Sequence, residues 1–196
     1  KVAVRKPNYF DIAIKSDRYP LRILEYFLVG ASDFEGTFNA NLALDGEPTK
    51  PNVKGYVAVE NVAATIDFLN TRYFVEKDTA IVTNRWIEAK GTVIKDEMGN
   101  TAEIKRGGLT HNRLKNLGVD LEVTSKKFLA MNTTKKDNPV FYGRGIGSGD
   151  IIFKGPLTQT DIFVRSTAGK GTNITIPVAN TAGDTEVSFI RFSNEE

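Results

Sequence analysis

Three observations predict an all-β, antiparallel-rich fold of roughly a dozen half-buried strands: apolar and polar residues alternate with period two, turn-forming residues punctuate the chain at short intervals, and only one segment carries helix signals. Phe10–Ile14 opens the series of strand candidates. Pro20 to Gly30 then breaks the pattern, with Pro where a helix starts, Gly where one stops, and Leu24, Phe27 and Leu28 on one side. It predicts a short helix whose apolar side lies against the greasy side of the sheet. Phe38, Ala40, Leu42 and Leu44 alternate with Asn39, Asn41 and Asp45, and Val53–Val59 and Ala64–Phe68 continue in the same way. Leu117, Val119, Leu121 and Val123 alternate with Gly118, Asp120, Glu122 and Thr124. The later candidates are Ile151–Lys154, Ile162–Val164, Ile174–Ile176 and Val187–Phe192. Asp45-Gly46, Lys50-Pro51-Asn52, Met98-Gly99-Asn100, Asp137-Asn138-Pro139, Gly155-Pro156 and Ala182-Gly183-Asp184 supply turn chemistry between them.

Composition narrows the chemistry. The 196 residues include no cysteine, which removes thiolate nucleophiles, Cys-ligated zinc and disulfides. A single histidine excludes metal sites built from several imidazoles, and any Ser-His-Asp triad would have to use His111. Lys plus Arg 26 against Asp plus Glu 24 gives a net charge of +2, too balanced for a generic nucleic-acid binder. No apolar run approaches the length of a membrane-spanning helix. The N-terminus lacks both a starting Met and a signal-peptide apolar region, so the chain is expected to be a segment of a longer protein. With no linker-like shift in composition, residues 1–196 read as one β-rich segment, of which 1–19 can be the end of a preceding unit.

Apparent motifs resolve into structure. Gly143, Gly145, Gly147 and Gly149 precede a strand pattern and not a helix, so they cannot cradle a phosphate at a helix N-terminus. Glycines at period two instead strip one face of a strand for a bulge or for close approach of another backbone. Gly169-Lys170-Gly171-Thr172 lacks the Lys-Ser/Thr pair of a P-loop, and Ser148 lacks the Gly-x-Ser-x-Gly spacing. Asp96 and Glu97 are adjacent, so on a strand they point to opposite faces and belong to a hairpin turn. His111 reads as a surface or turn histidine. With Trp86 as the only tryptophan, a sugar-binding platform is weakly supported.

Longer phrases carry more. Residues 39 to 59 (Asn-Ala-Asn-Leu-Ala-Leu-Asp-Gly-Glu-Pro-Thr-Lys-Pro-Asn-Val-Lys-Gly-Tyr-Val-Ala-Val) resemble the recurring strand, Gly, Pro-turn, Gly, strand phrase of the TamB family, and Phe68-Leu69-Asn70-Thr71-Arg72-Tyr73-Phe74 is similar to its continuation in Bacteroidetes-type members. Lys95 to Ala102 running on to Gly108-Leu109-Thr110-His111, then Met131-Asn132-Thr133, Phe141 to Gly145 and Gly155-Pro156, Gly171 to Pro177, and Ser188 to Phe192 follow in order. The resemblance spans about residues 20 to 196.

What it implies is an internal to C-terminal fragment of a translocation and assembly module, AsmA-like, in the periplasm of a Gram-negative cell. The full-length protein would be anchored in the inner membrane and reach toward an outer-membrane barrel of the BamA type. The implied fold is an elongated sheet folded lengthwise into a taco or gutter, and the implied roles are outer-membrane protein assembly and phospholipid transport. No catalysis, metal, cofactor or nucleic acid is implied. An open sheet with an apolar concave face shelters acyl chains at about 0.8 kcal/mol per buried methylene. The residues expected on that face are Leu42, Leu44, Val57, Val59, Ile66, Phe68, Val119, Leu121, Val123, Ile162, Val164, Ile174 and Ile176. The same parity fits the closed core of a compact β-sandwich, which would make the chain a carbohydrate- or protein-binding module. The exposed edges of an excised gutter would favour self-association.

Overall fold

The computed structural model describes residues 8–177. The expected strand over Val187–Phe192 and the turn at Ala182-Gly183-Asp184 lie outside them. In chain order the elements are β1 (Phe10–Pro20), a 3₁₀ helix (Leu21–Tyr26), β2 (Ala31–Glu47), β3 (Lys50–Ile66), a 3₁₀ turn (Asp67–Leu69), β4 (Thr71–Val82), β5 (Trp86–Glu88), β6 (Val93–Lys95), β7 (Thr101–Asn112), β8 (Lys115–Thr133), β9 (Tyr142–Pro156), β10 (Asp161–Ala168) and β11 (Asn173–Thr175).

All 11 strands join one antiparallel sheet in the order β1-β2-β3-β4-β5-β7-β8-β9-β10, with β6 bridging β4 and β7, and β11 pairing β9. Each strand pairs mainly with its chain neighbour, so the sheet is a meander. β1 and β10 do not pair, so the sheet is not closed into a barrel. A single sheet also rules out the compact sandwich, which needs two.

The strands are longer than the alternation predicts, and several expected turns move. Asp45-Gly46 and Lys50-Pro51-Asn52 lie inside the paired region, where Gly46 faces Pro51 and Glu47 faces Lys50. The hairpin tip is therefore the two residues Pro48 and Thr49. β8 runs 19 residues because pairing to β9 survives two irregularities, between Ser125 and Phe128 and between Leu129 and Met131. The glycines of β9 behave as expected, since a Cβ on Gly149 would collide with the Arg165 carbonyl and one on Gly143 with that of Asn173.

The helical segment forms where expected, but as a six-residue 3₁₀ helix, started by Pro20 (φ −62°) and followed by Gly30 (φ 88°). Its expected packing is corrected. Three residues per turn align Leu21 with Leu24. Leu21 is buried, whereas Phe27 falls beyond the helix end and is 70% exposed, beside Tyr26 at 82%.

The sheet curls on itself at one end of the strands. Ala102 and Ile104 of β7 and Val123 and Phe128 of β8 form a buried cluster, against which Tyr73 of β4 packs. The Tyr73 and Phe128 rings stack at 5.2 Å and 14°. The Tyr73 hydroxyl reaches the carbonyls of Leu129 and Ala130 at 3.3 and 3.2 Å, and Asn70 Nδ2 donates to the Asn132 carbonyl at 2.9 Å. β4 is separated from β8 in the sheet by short strands and β7, so these contacts cross the concave side and draw its walls together. That is a folded gutter.

Candidate functional site

Paired residues in an antiparallel sheet share a face, so the register connects distant strands. Ile14 pairs with Leu42, Leu42 with Gly55, and Gly55 with Val82. Val82 then pairs with Ile87, Ile87 with Leu109, Leu109 with Val119, and Val119 with Gly155. One row without a single polar side chain thus crosses eight strands, about 34 Å at about 4.8 Å per strand. Parallel rows lie beside it: Ile12, Leu44 and Val53; Ala40, Val57 and Ala80; Gly107, Leu121, Phe153 and Ile162; and Ile104, Val123, Ile151 and Val164.

Of the thirteen residues expected on this face, Leu42, Leu44, Val57, Val59, Val119, Leu121, Val123, Ile162 and Val164 share it by register. Ile66 joins them through a change of parity. Tyr73 packs on the same side as Val123, and Val82 shares Val119's row, although Tyr73 and Val82 are an odd number of residues apart in β4. The face therefore switches within β4, level with Asn61 of β3, whose left-handed backbone (φ 52°) sits where β3 carries an extra residue against β2. Beyond the switch, Ala64 opposite Tyr73 and Ile66 opposite Thr71 turn inward. Phe68 is a correction: it lies in the 3₁₀ turn after β3, 37% exposed, because the strand ends at Ile66. Ile174 sits in the short strand β11 opposite Gly143, its Cδ1 over Gly145, and Ile176 lies past that strand's end.

Burial grades along the face. Val53 and Val82 are 2% exposed and Val123 8%, whereas Ile12 is 49% exposed and Val164 61%. The buried positions lie on the middle strands, and the two outer strands β1 and β10 present open apolar surface. Opposite these rows the outward residues are charged: Arg106 pairs with Glu122 at 2.8 Å and with Asp120 at 3.5 Å. Ile12, Ile14, Ile87, Ile104, Ile151 and Phe153 belong to the face although the sequence reading did not place them there. Their short-range alternation was visible for β1, while β5 is too short and β7 too interrupted by its bulge at Lys105 to show parity.

His111 is buried, not at the surface. Its Nδ1 accepts the Leu114 N–H at 3.0 Å, which leaves the proton on Nε2. Nε2 is buried without a hydrogen bond of good geometry. Burial lowers the pKa below the usual imidazole value, partly opposed by the Trp86 and Thr83 carbonyls. Residues lining the adjoining cavity include no Ser, Asp or Glu, so nothing there assembles a triad. Asp96 and Glu97 belong to the β6–β7 turn as expected. Asp96, 2% exposed, accepts from the backbone N–H groups of Met98, Asn100 and Leu129 at 2.9, 2.8 and 2.7 Å, a structural hub.

No curated protein and no solved structure matches the chain. The family model of the TamB C-terminal domain matches residues 90–196, from just before β6 onward and more than half of the chain. An open curled sheet crossed by one continuous apolar row agrees with that match, and the chain belongs to the TamB family.

Proposed function

We infer that the chain is a segment of a translocation and assembly module, a structural transport component of the periplasm that works with a BamA-type barrel and carries out no reaction of its own. We propose that this segment shelters phospholipid acyl chains on its inner face, as one stretch of a path across the periplasm in a full-length protein anchored in the inner membrane. The observation that carries the reading is the row from Ile14 to Gly155: an apolar lane running across the strands, continuous through eight of them, and exposed at its Ile14 end. Acyl chains laid along it exchange water for aliphatic side chains at about 0.8 kcal/mol per methylene, and no reaction is required. A role in outer-membrane protein assembly would use the same surface for apolar segments of unfolded barrels. β1 and β10, each paired on one side among the described residues, would also let copies of the isolated chain associate edge to edge.

Neighbouring residues of β10 give a paired test. Val164 faces inward opposite Ile151, and Phe163 faces outward opposite Ile152; both are more than half exposed, so neither substitution disturbs a packed core. Val164→Glu is expected to lower co-purifying phospholipid, measured by mass spectrometry of extracts, at least threefold, and Phe163→Glu to leave it unchanged. Equal effects of the two would remove the inner face from the account.

A further inference from the structure

One margin of the sheet holds a polar cavity of about 590 Å³ between the β4–β5 and β7–β8 turns. Arg85, Arg113, Asn112, Asn116, Thr110 and Trp86 line it, and no carboxylate does. Trp86 pairs with Thr110, next to the row pair Ile87 and Leu109, so by alternation these two lie on the opposite face from the acyl lane. The cavity is therefore a separate site.

One of the two cavity arginines, Arg113, is tied in place. The β7–β8 turn puts Arg113 and Leu114 at φ 54° and 66°, a conformation for which Asn-Gly is the ordinary choice. Arg113 is kept there by its Nη1 donating to the Pro51 carbonyl at 2.9 Å and to Asn52 Oδ1 at 2.8 Å, while Leu114 N–H is held by His111. Asn52 Oδ1 also receives Asn84 Nδ2 at 3.2 Å, so three hairpin ends are tied together around the cavity. The exposed Arg85 side chain, like those of Arg18 and Arg165, has no ion pair or hydrogen bond among the described residues, and it is the one of these three that lines the cavity.

We propose that this cavity binds a phosphoester, with the Arg85 guanidinium and the Asn112 and Asn116 amides on its oxygens and the Trp86 ring against its organic substituent. A fork of unpaired guanidinium donors beside amides and a hydroxyl offers more hydrogen bonds than a carboxylate can accept, and a phosphate uses them. The volume leaves room for the group esterified to it. The phosphate can be that of a lipid headgroup or of a small soluble ester, and the test separates them.

Trp86, the only tryptophan, reports directly on the cavity through its fluorescence. The full chain is titrated with glycerol 3-phosphate, inorganic phosphate, monomeric diheptanoylphosphatidylglycerol and phosphate-free diheptanoylglycerol. Saturable changes are expected with glycerol 3-phosphate and the phospholipid, weakened at least tenfold by Arg85→Ala and also by Arg85→Gln, with unchanged circular dichroism and melting. A phospholipid bound at least tenfold more tightly than glycerol 3-phosphate identifies a headgroup as the source, and equal affinities identify a soluble ester. Binding of both diheptanoyl compounds alike, insensitive to Arg85, would overturn the phosphoester site while leaving the acyl lane standing. No saturable response to any phosphate compound would overturn it as well.

Discussion

Single residues pin the fold at its two margins. Asp96 is buried, yet backbone N–H groups from its own turn and from Leu129 of β8 converge on it. Asp96→Ala leaves the Leu129 amide without a partner in the interior and is expected to cost about 3 kcal/mol in urea denaturation. At the other margin His111 must be neutral, because a proton on Nδ1 would face the Leu114 N–H. Its folded pKa is lowered by burial, so the unfolded chain binds the proton more readily. The stability it contributes is complete above the unfolded value, near 6.5, and is lost as pH falls through the folded value. Melting temperature is expected to drop on acidification below that point, and less so in His111→Gln. Tyr73 behaves oppositely. Burial pushes its phenol up to about 12, so the closed end of the gutter keeps its full stability below pH 10 and loses it as pH rises toward 12.

At the scale of elements, the close approach of neighbouring strands is set by glycine. Gly149→Ala drives a Cβ into the Arg165 carbonyl of β10 at a φ of 144°, and about 3 kcal/mol of destabilisation is expected. Gly91, at φ 88° with nothing within 4 Å of a Cβ, separates strain from collision: Gly91→Ala should cost about 1 kcal/mol in the same denaturation experiment. The role of the β9 glycines was legible because four at period two can serve only one face of a strand. β2, β3 and the first half of β8 were legible for the same reason, as unbroken aliphatic alternation. β4 was not. Its face changes between Tyr73 and Val82 under the influence of a left-handed Asn61 on the neighbouring strand, which no pattern within β4 records. The first helical segment showed its start and stop in Pro20 and Gly30, but whether its residues close α or 3₁₀ turns depends on how Leu21 docks, which periodicity over six residues does not specify.

At the scale of the whole molecule, the same alternation of apolar positions fits a sandwich core and a gutter equally well. The difference lies in register and connectivity. A meander in which each strand pairs with its neighbour gives one sheet, and the pairing of Val82 with Ile87 and Ile87 with Leu109 carries one face unbroken from the first half of the chain to the second. The exposed ends at Ile12 and Val164 extend that lane to its margins. The most direct test of a lipid lane places a photo-crosslinking residue at Leu121, on the lane, or at its neighbour Asp120, which points outward, in the full-length protein working in the periplasm. The account predicts phospholipid adducts at Leu121 and none at Asp120. Adducts at neither position, or equally at both, would contradict it.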